Sequence, residues 1–472
     1  MSMVKLLKYP LFTQCLGLCL IPMIGCADSR DNGIAFNDVA SNNTAVTDTD
    51  ATESVAITLY LLGYEVPKSE RERVVAQDIK IFESHLQKRA SSYKVGLDFF
   101  EIESPKYQRD LYHSTEVSNL TLCDFGDSVS CLNNIADNPA PYRQSLETLS
   151  HVMNDIDTLR QSGSSELVSV FPDNLRSNLE PTTNYQYFIK PLTTQSALAY
   201  YDNPNIGLNT VCDNISFSKK LIQSKDSMLQ TFIGVKLLKN NLEILENSTE
   251  LLPYSCSDAL KPMTTRTVSI CPTVNSEARS FKNMLLSINE IPILFSHEAS
   301  IKLVNEDTQL FCNAEWTNKV KNDEFTSYPI VDIKNSKLFN RIGSMFVNIT
   351  NITNITNIAK VDYSDYQNRL LDANANLRLW QAAIDPQCQD AVSNPEVLDS
   401  LFMGEYSNAN APLVNYLNTF LEGLNRVRAL HVNDQKRLTI TAYDQSNNTI
   451  ENSKVNTVED LSYISVSCRT VQ

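Results

Sequence analysis

Residues 67–86 read PKSERERVVAQDIKIFESHL, and this stretch sets the class of the fold. Ser69 and Glu72 form a capping box just after Pro67: the hydroxyl satisfies a first-turn N–H while the carboxylate answers the cap's own amide. Val75, Ile79, Phe82 and Leu86 then follow at spacings of four, three and four, which puts them on one face of a helix. The stretch therefore predicts an amphipathic helix of roughly five turns.

The same signature recurs along the chain. Pro141 opens a second helix with the stripe Tyr142, Leu146, Leu149, Met153 and Ile156. The longest candidate runs from Ser216 to about Glu246, with Leu221, Met228, Phe232 and Leu242 among its apolar residues. Further helices are expected over Ser276–Asn289, Ser364–Ile384 and Leu413–Arg428; that at Ser364 has its own capping signal, with Gln367 three residues on, and the stripe Tyr366, Leu370, Leu377, Trp380 and Ile384. Such stripes are first of all core faces. Strand alternation is confined to Leu438, Ile440 and Ala442 and to Ile464, Val466 and Cys468, which predicts a short two-stranded element. The expected fold is mainly α, a multi-helix, disulfide-stapled domain with a small C-terminal β element.

Composition removes several function classes. The 472 residues are 42% hydrophobic and 20% charged, enough for a large core. The 12 glycines include no Gly-x-Gly, so phosphate-cradling loops of the Rossmann or P-loop kind are excluded and no nucleotide cofactor is expected. A formal charge of -15 opposes a phosphate backbone, so no nucleic-acid partner is expected either. No cofactor of any kind is called for.

The N-terminus carries an address. Lys5 and Lys8 precede an apolar run, Leu11 to Ile24, that is too short to span a bilayer. It ends Met23-Ile24-Gly25-Cys26, which resembles the lipobox of bacterial lipoproteins. The resemblance implies a signal peptide over 1–25, cleavage after Gly25, diacylglycerol on Cys26 and acylation, typically by palmitate, of the new amino terminus. Cys15 and Cys19 fit less well, because Gln14 and Leu18 stand where a small residue is required. The alternative is an ordinary secretory signal with a chance cysteine. Ala27 after the cysteine, by resemblance to enteric sorting, implies the outer membrane, reached through the lipid anchor and most simply on its periplasmic face. Residues 26–54 are dominated by Asp, Asn, Ser, Thr and Ala with one basic residue, Arg30, and read as a disordered acidic tether. As a flexible coil it would reach about 30 Å. Residues 55–472 then form the helical domain, in one or two lobes.

Cys123, Cys131, Cys212, Cys256, Cys271, Cys312, Cys388 and Cys468 remain, an even set for an exported chain, and read as disulfide candidates. No Cys-x-x-Cys occurs, which disfavours a zinc ribbon or a thioredoxin-type site. Eight cysteines permit 105 connectivities. Short local loops favour Cys123 with Cys131 and Cys256 with Cys271, leaving Cys212 with Cys312 and Cys388 with Cys468. Buried free thiols are the rival reading.

Catalytic signals are thin. Phe125-Gly126-Asp127-Ser128 resembles the first block of Gly-Asp-Ser-Leu hydrolases, but the only Asp-x-x-His, at Asp110 to His113, precedes the serine and no Gly-x-Asn-Asp block exists. His85, His113, His151, His297 and His431 are scattered; the nearest helical pairing is His151 with Asp155, and two ligands do not complete a zinc site, so no metal is expected. Asn348–Ile358 repeats Asn-Ile-Thr and predicts an irregular helix without chemistry. Cys256 to Pro262, Cys271, Glu277 to Phe281 and Leu338 to Gly343 are together similar to blocks of a loose family of uncharacterised proteobacterial proteins, which implies no activity.

The expected role is therefore non-catalytic: binding or scaffolding in the cell envelope, with an envelope protein as partner. The alternatives are a periplasmic hydrolase with an unrecognised site and a carrier of small apolar ligands. A polar cleft with histidine or paired carboxylates would favour the first, a closed apolar cavity the second.

Overall fold

The computed structural model describes residues 54–92, 105–124, 128–176, 185–248, 252–286, 297–327, 363–386, 430–432, 437–443 and 463–469, with single residues at 180, 181, 183, 388 and 393. The signal peptide, Cys26, the tether, the Asn-Ile-Thr repeat, the Leu338 to Gly343 block and the helix expected over Leu413–Arg428 lie outside them. The described elements belong to one unit, Glu53–Gln472.

The domain is mainly α. Val55–Tyr60 (α1) leads into Lys68–Ser92 (α2), the helix expected from residues 67–86, with Val75 and Phe82 buried on its inner face. It starts at Lys68, so Ser69 lies inside its first turn and is not the cap expected, and at 25 residues it is longer than the five turns expected. Ser128–Asp137 (α3) follows. The helix opened by Pro141 is two helices, Ala140–Thr148 (α4) and Ser150–Gln161 (α5), which meet at Leu149. Gln186–Asp202 (α6), Pro204–Ser224 (α7) and Met228–Glu246 (α8) form the centre. Tyr254–Ala259 (α9), Thr265–Val268 (α10), Cys271–Leu286 (α11), His297–Leu310 (α12), Ala314–Lys321 (α13) and Tyr363–Ala383 (α14) complete the described helices. No helix among the described residues is long and apolar enough to cross a membrane.

The single helix expected over Ser216–Glu246 is corrected to a hairpin of α7 and α8. Lys225 takes a left-handed conformation with φ 56° and ends α7; the Ser227 hydroxyl then accepts the Gln230 N–H and starts α8. A left-handed terminus followed by a serine cap stops one helix and opens the next. The two helices pack closely because Gly234 lies against Ile222 and the Ser218 carbonyl, where a Cβ would come within 2.8 Å. Between α6, α7 and α8 runs a buried polar seam. Asn214 donates to Ser196 at 2.8 Å, Ser196 donates to Asn241 at 2.6 Å, and Asn240 donates to Thr193 at 3.1 Å. Each of these side chains bonds one on a neighbouring helix, which ties helix register to hydrogen bonding, although Asn240 Oδ1 is left without a donor.

Helix α14 is buried on most of its circumference and grips the backbones around it with polar side chains. Gln367 accepts from the Ile270 N–H at 3.0 Å and donates to the Val268 carbonyl at 3.0 Å. Asn368 accepts the Thr326 N–H and donates to its carbonyl, and Asn374 accepts the Met263 N–H at 2.7 Å. Irregular chain at α10 and beyond α13 thus has its peptide groups satisfied inside the protein.

The C-terminal β element has three described strands, Leu430–Val432 (β1), Arg437–Thr441 (β2) and Tyr463–Ser467 (β3), antiparallel in the order β1-β2-β3. The two expected strands pair as Leu438 with Val466 and Ile440 with Ile464, so their apolar residues share the face against α14. β1 is an addition: three residues are too few to show alternation.

Among the described residues four disulfides staple the helices. Cys123–Cys131 and Cys388–Cys468 pair as expected. The other two expectations are corrected: Cys212 bonds Cys256, with Cα atoms 5.1 Å apart, and Cys271 bonds Cys312, at 5.0 Å. Short loops were the wrong guide here. Cys256 on α9 packs into the face of α7 beside Cys212, while Cys271 opens α11 and points to the end of α12.

Candidate functional site

A groove of about 400 Å³ lies between α8, α14 and the β2–β3 sheet. Each wall comes from a different part of the chain. α8 supplies Phe232, Lys239, Glu243 and Glu246; α14 supplies Arg369, Asn376 and Trp380; the sheet supplies Arg437. The Cys388–Cys468 disulfide and a bond from the Arg469 N–H to the Ala383 carbonyl, 2.7 Å, pin the end of β3 to the end of α14.

Charge in the groove is internally compensated. Arg437 pairs with Glu246 at 2.8 Å, and Arg469 donates to the Glu246 carbonyl at 2.8 Å. Arg369 pairs with Asp365 at 2.9 Å and lies over the Phe232 ring, 5.3 Å from its centre. The Asp372 carboxylate accepts the Tyr443 N–H. Burial pushes the Glu246 carboxyl above its ordinary range against the pull of Arg437 and Arg469, and it does the same to Glu243 against Lys239. Two acceptors of lining residues are without a hydrogen bond, Oε2 of Glu246 and Oδ1 of Asn376, and both atoms are sealed from solvent. A buried acceptor without a donor costs about 1–3 kcal/mol.

The second hollow, about 310 Å³, lies among α1, the segment around Ser169, the α7–α8 turn and α11. Its polar heart is Arg176, which bonds Asp226 through both guanidinium nitrogens, at 2.5 and 3.1 Å. Glu180 stands 3.9 Å from Arg176, and burial raises its carboxyl to about 7 although Arg176 pulls the other way. Glu277, also raised by burial, accepts the Met228 N–H at 2.7 Å and so caps the start of α8.

The residues singled out from sequence do not gather in either hollow. Ser128 is buried at the first position of α3, and residues 125–127 lie outside the described residues. His151 does not meet Asp155. Asp155 is held instead by Arg71, while His151 and His113 flank Glu65 at 4.0 and 3.9 Å. Among the described residues no group of three or more His, Cys, Asp or Glu could hold a metal ion. Arg176, Asp226, Asn376 and Glu246 had no sequence signal, since nothing local links them, and Arg176 with Glu180, four residues apart, carried none that set it off from any other charged pair. Glu277 did fall in one of the short blocks noted above, and its capping of α8 gives that block a structural role.

No family model, curated protein or solved structure matches this chain.

Proposed function

We propose that this chain is an exported lipoprotein of the bacterial outer membrane, anchored through Cys26, whose helical body binds a segment of an envelope protein in the groove between α8, α14 and the C-terminal sheet. The lipobox at Met23 to Cys26 supports the address, and several acyl chains suffice to hold a protein without a spanning helix. The observation that carries the binding reading is the groove itself, which sets the apolar side chains of Phe232 and Val235 beside the polar and charged ones of Lys239, Glu243 and Arg437. A polypeptide brings N–H donors and apolar side chains together, and compensated charge in the walls leaves no demand for a strongly charged ligand.

The test is site-specific photo-cross-linking from the full chain in the envelope of its host. A photoreactive residue at position 232 should join one recurring segment of one polypeptide, and the same residue at the exposed position 254 should not. Equal adducts from both positions, or none from 232, would refute the reading. Cys26→Ser should abolish palmitate labelling; a labelled variant would refute the anchor.

A second reading has its own observation. The second hollow brings Glu180, which titrates near 7, and Glu277 to one wall, and a carboxyl poised near neutrality is what general acid catalysis uses. A hydrolase reading predicts turnover of chromogenic esters or glycosides that Glu180→Gln abolishes.

A further inference from the structure

The four disulfides differ in what surrounds their sulfurs. Cys123, Cys131, Cys212, Cys256 and Cys388 are each at most 3% exposed. Cys468 is half-buried, but its partner Cys388 is sealed. Cys271–Cys312 alone has both ends half-buried, open in part to solvent.

Its sulfurs also have a polar neighbour. The exposed Asn275 directs its side-chain N–H groups at Cys271 Sγ, 3.3 Å away, and at Cys312 Sγ, 3.5 Å away. Cys271 is the first residue of α11, a helix of 16 residues, so a thiolate there lies at the positive end of the helix dipole. Both contacts favour negative charge on Cys271 and so lower the basicity of that thiol as a leaving group. Cys388, sealed among apolar side chains, has the opposite setting.

We infer that Cys271–Cys312 is a thiol-exchange site, open to small dithiol reductants while the other three disulfides stay closed. A thiolate of the dithiol attacks Cys312 Sγ; a new sulfur–sulfur bond forms, the Cys271–Cys312 bond breaks, and its electron pair leaves on Cys271. The second thiol of the reductant, as thiolate, then attacks the mixed disulfide and releases the Cys312 thiolate. The reductant ends as its own disulfide, two electrons having passed to the protein. The exchange unties α12 from α11, the helix whose Glu277 caps α8. It depends on the disulfide and not on what the groove binds.

Graded dithiothreitol on the purified full chain tests this. Thiols free at the start are first blocked with N-ethylmaleimide. New thiols are trapped at timed intervals with its heavy isotopic form and assigned by peptide mass. Cys271 and Cys312 should label together, at least ten-fold faster than the other six, while the far-ultraviolet circular dichroism stays unchanged. Asn275→Ala should slow that first step several-fold and leave the other disulfides unaffected. Labelling of all eight at one rate, a different pair first, or an Asn275→Ala rate equal to that of the parent would overturn the assignment.

Discussion

Arg71 and Asp155 stand 84 residues apart in sequence and meet, buried, through two parallel hydrogen bonds of 3.0 Å each. The pair joins α2 to α5, and Arg71 also donates to the Val66 carbonyl at 3.1 Å, so one guanidinium holds the start of α2 and the neighbouring helix together. Removing one partner leaves a desolvated charge. Asp155→Ala should cost about 3–5 kcal/mol in urea unfolding, whereas an apolar replacement of both partners should cost much less. Equal losses would show that packing rather than charge sets the cost.

Gln367 is the polar hub of α14, bonded to the backbone at Ile270 and Val268. Gln367→Leu keeps the bulk and strands both peptide groups, so it should destabilise by roughly 2–3 kcal/mol. Gln367→Glu should be worse above the carboxyl's titration, because an ionised side chain loses the donor that Val268 needs. Thermal unfolding at pH 5 and pH 8 separates the two.

Opposing pH slopes are expected from Glu180 and Lys225. Burial raises Glu180 from 4.5 to about 7, so between those values the unfolded chain holds fewer protons than the folded one and stability falls as pH rises. Lys225, whose Nζ is without a hydrogen bond, is lowered by burial from 10.5 to about 7. Between 7 and 10.5 the unfolded chain holds more protons, so stability rises with pH. Glu180→Gln should flatten the acid slope, by roughly 3 kcal/mol at most, and Lys225→Met the alkaline one, by roughly 5 kcal/mol at most. Denaturant midpoints from pH 4 to 10 measure both.

The disulfides should contribute unequally. Cys388–Cys468 closes 80 residues and Cys123–Cys131 closes 8. Loop entropy makes the first worth about 4–5 kcal/mol and the second about 2–3 kcal/mol. Paired serine variants, compared by guanidinium unfolding, should rank in that order. Loss of Cys388–Cys468 should also free β3 from α14 and raise amide exchange at Tyr463–Ser467.

Much of the architecture was legible from local pattern. The stripe Val75, Ile79, Phe82 and Leu86 is a helix face, and the alternation at Leu438 and Ile464 marks two strands that pair, in a register that only the structure supplies. The break at Ser224 to Ser227 was also present, as a serine three residues before Gln230, but the continuing apolar residues on both sides masked it. The groove was not legible. Its walls lie up to 233 residues apart in sequence, from Phe232 to Ser465, and none has a motif of its own.

The order of amino acids by itself determined the helical class, the two alternating strands at Leu438 and Ile464 and the eight cysteines available for disulfides, because periodicity and composition act over a few residues. Only the tertiary structure decided that Cys212 takes Cys256 and Cys271 takes Cys312, and that Arg176 meets Asp226 across 50 residues. Those choices depend on which helix faces come together, and a face carries no record of its partner until packing and the satisfaction of buried polar groups select one arrangement.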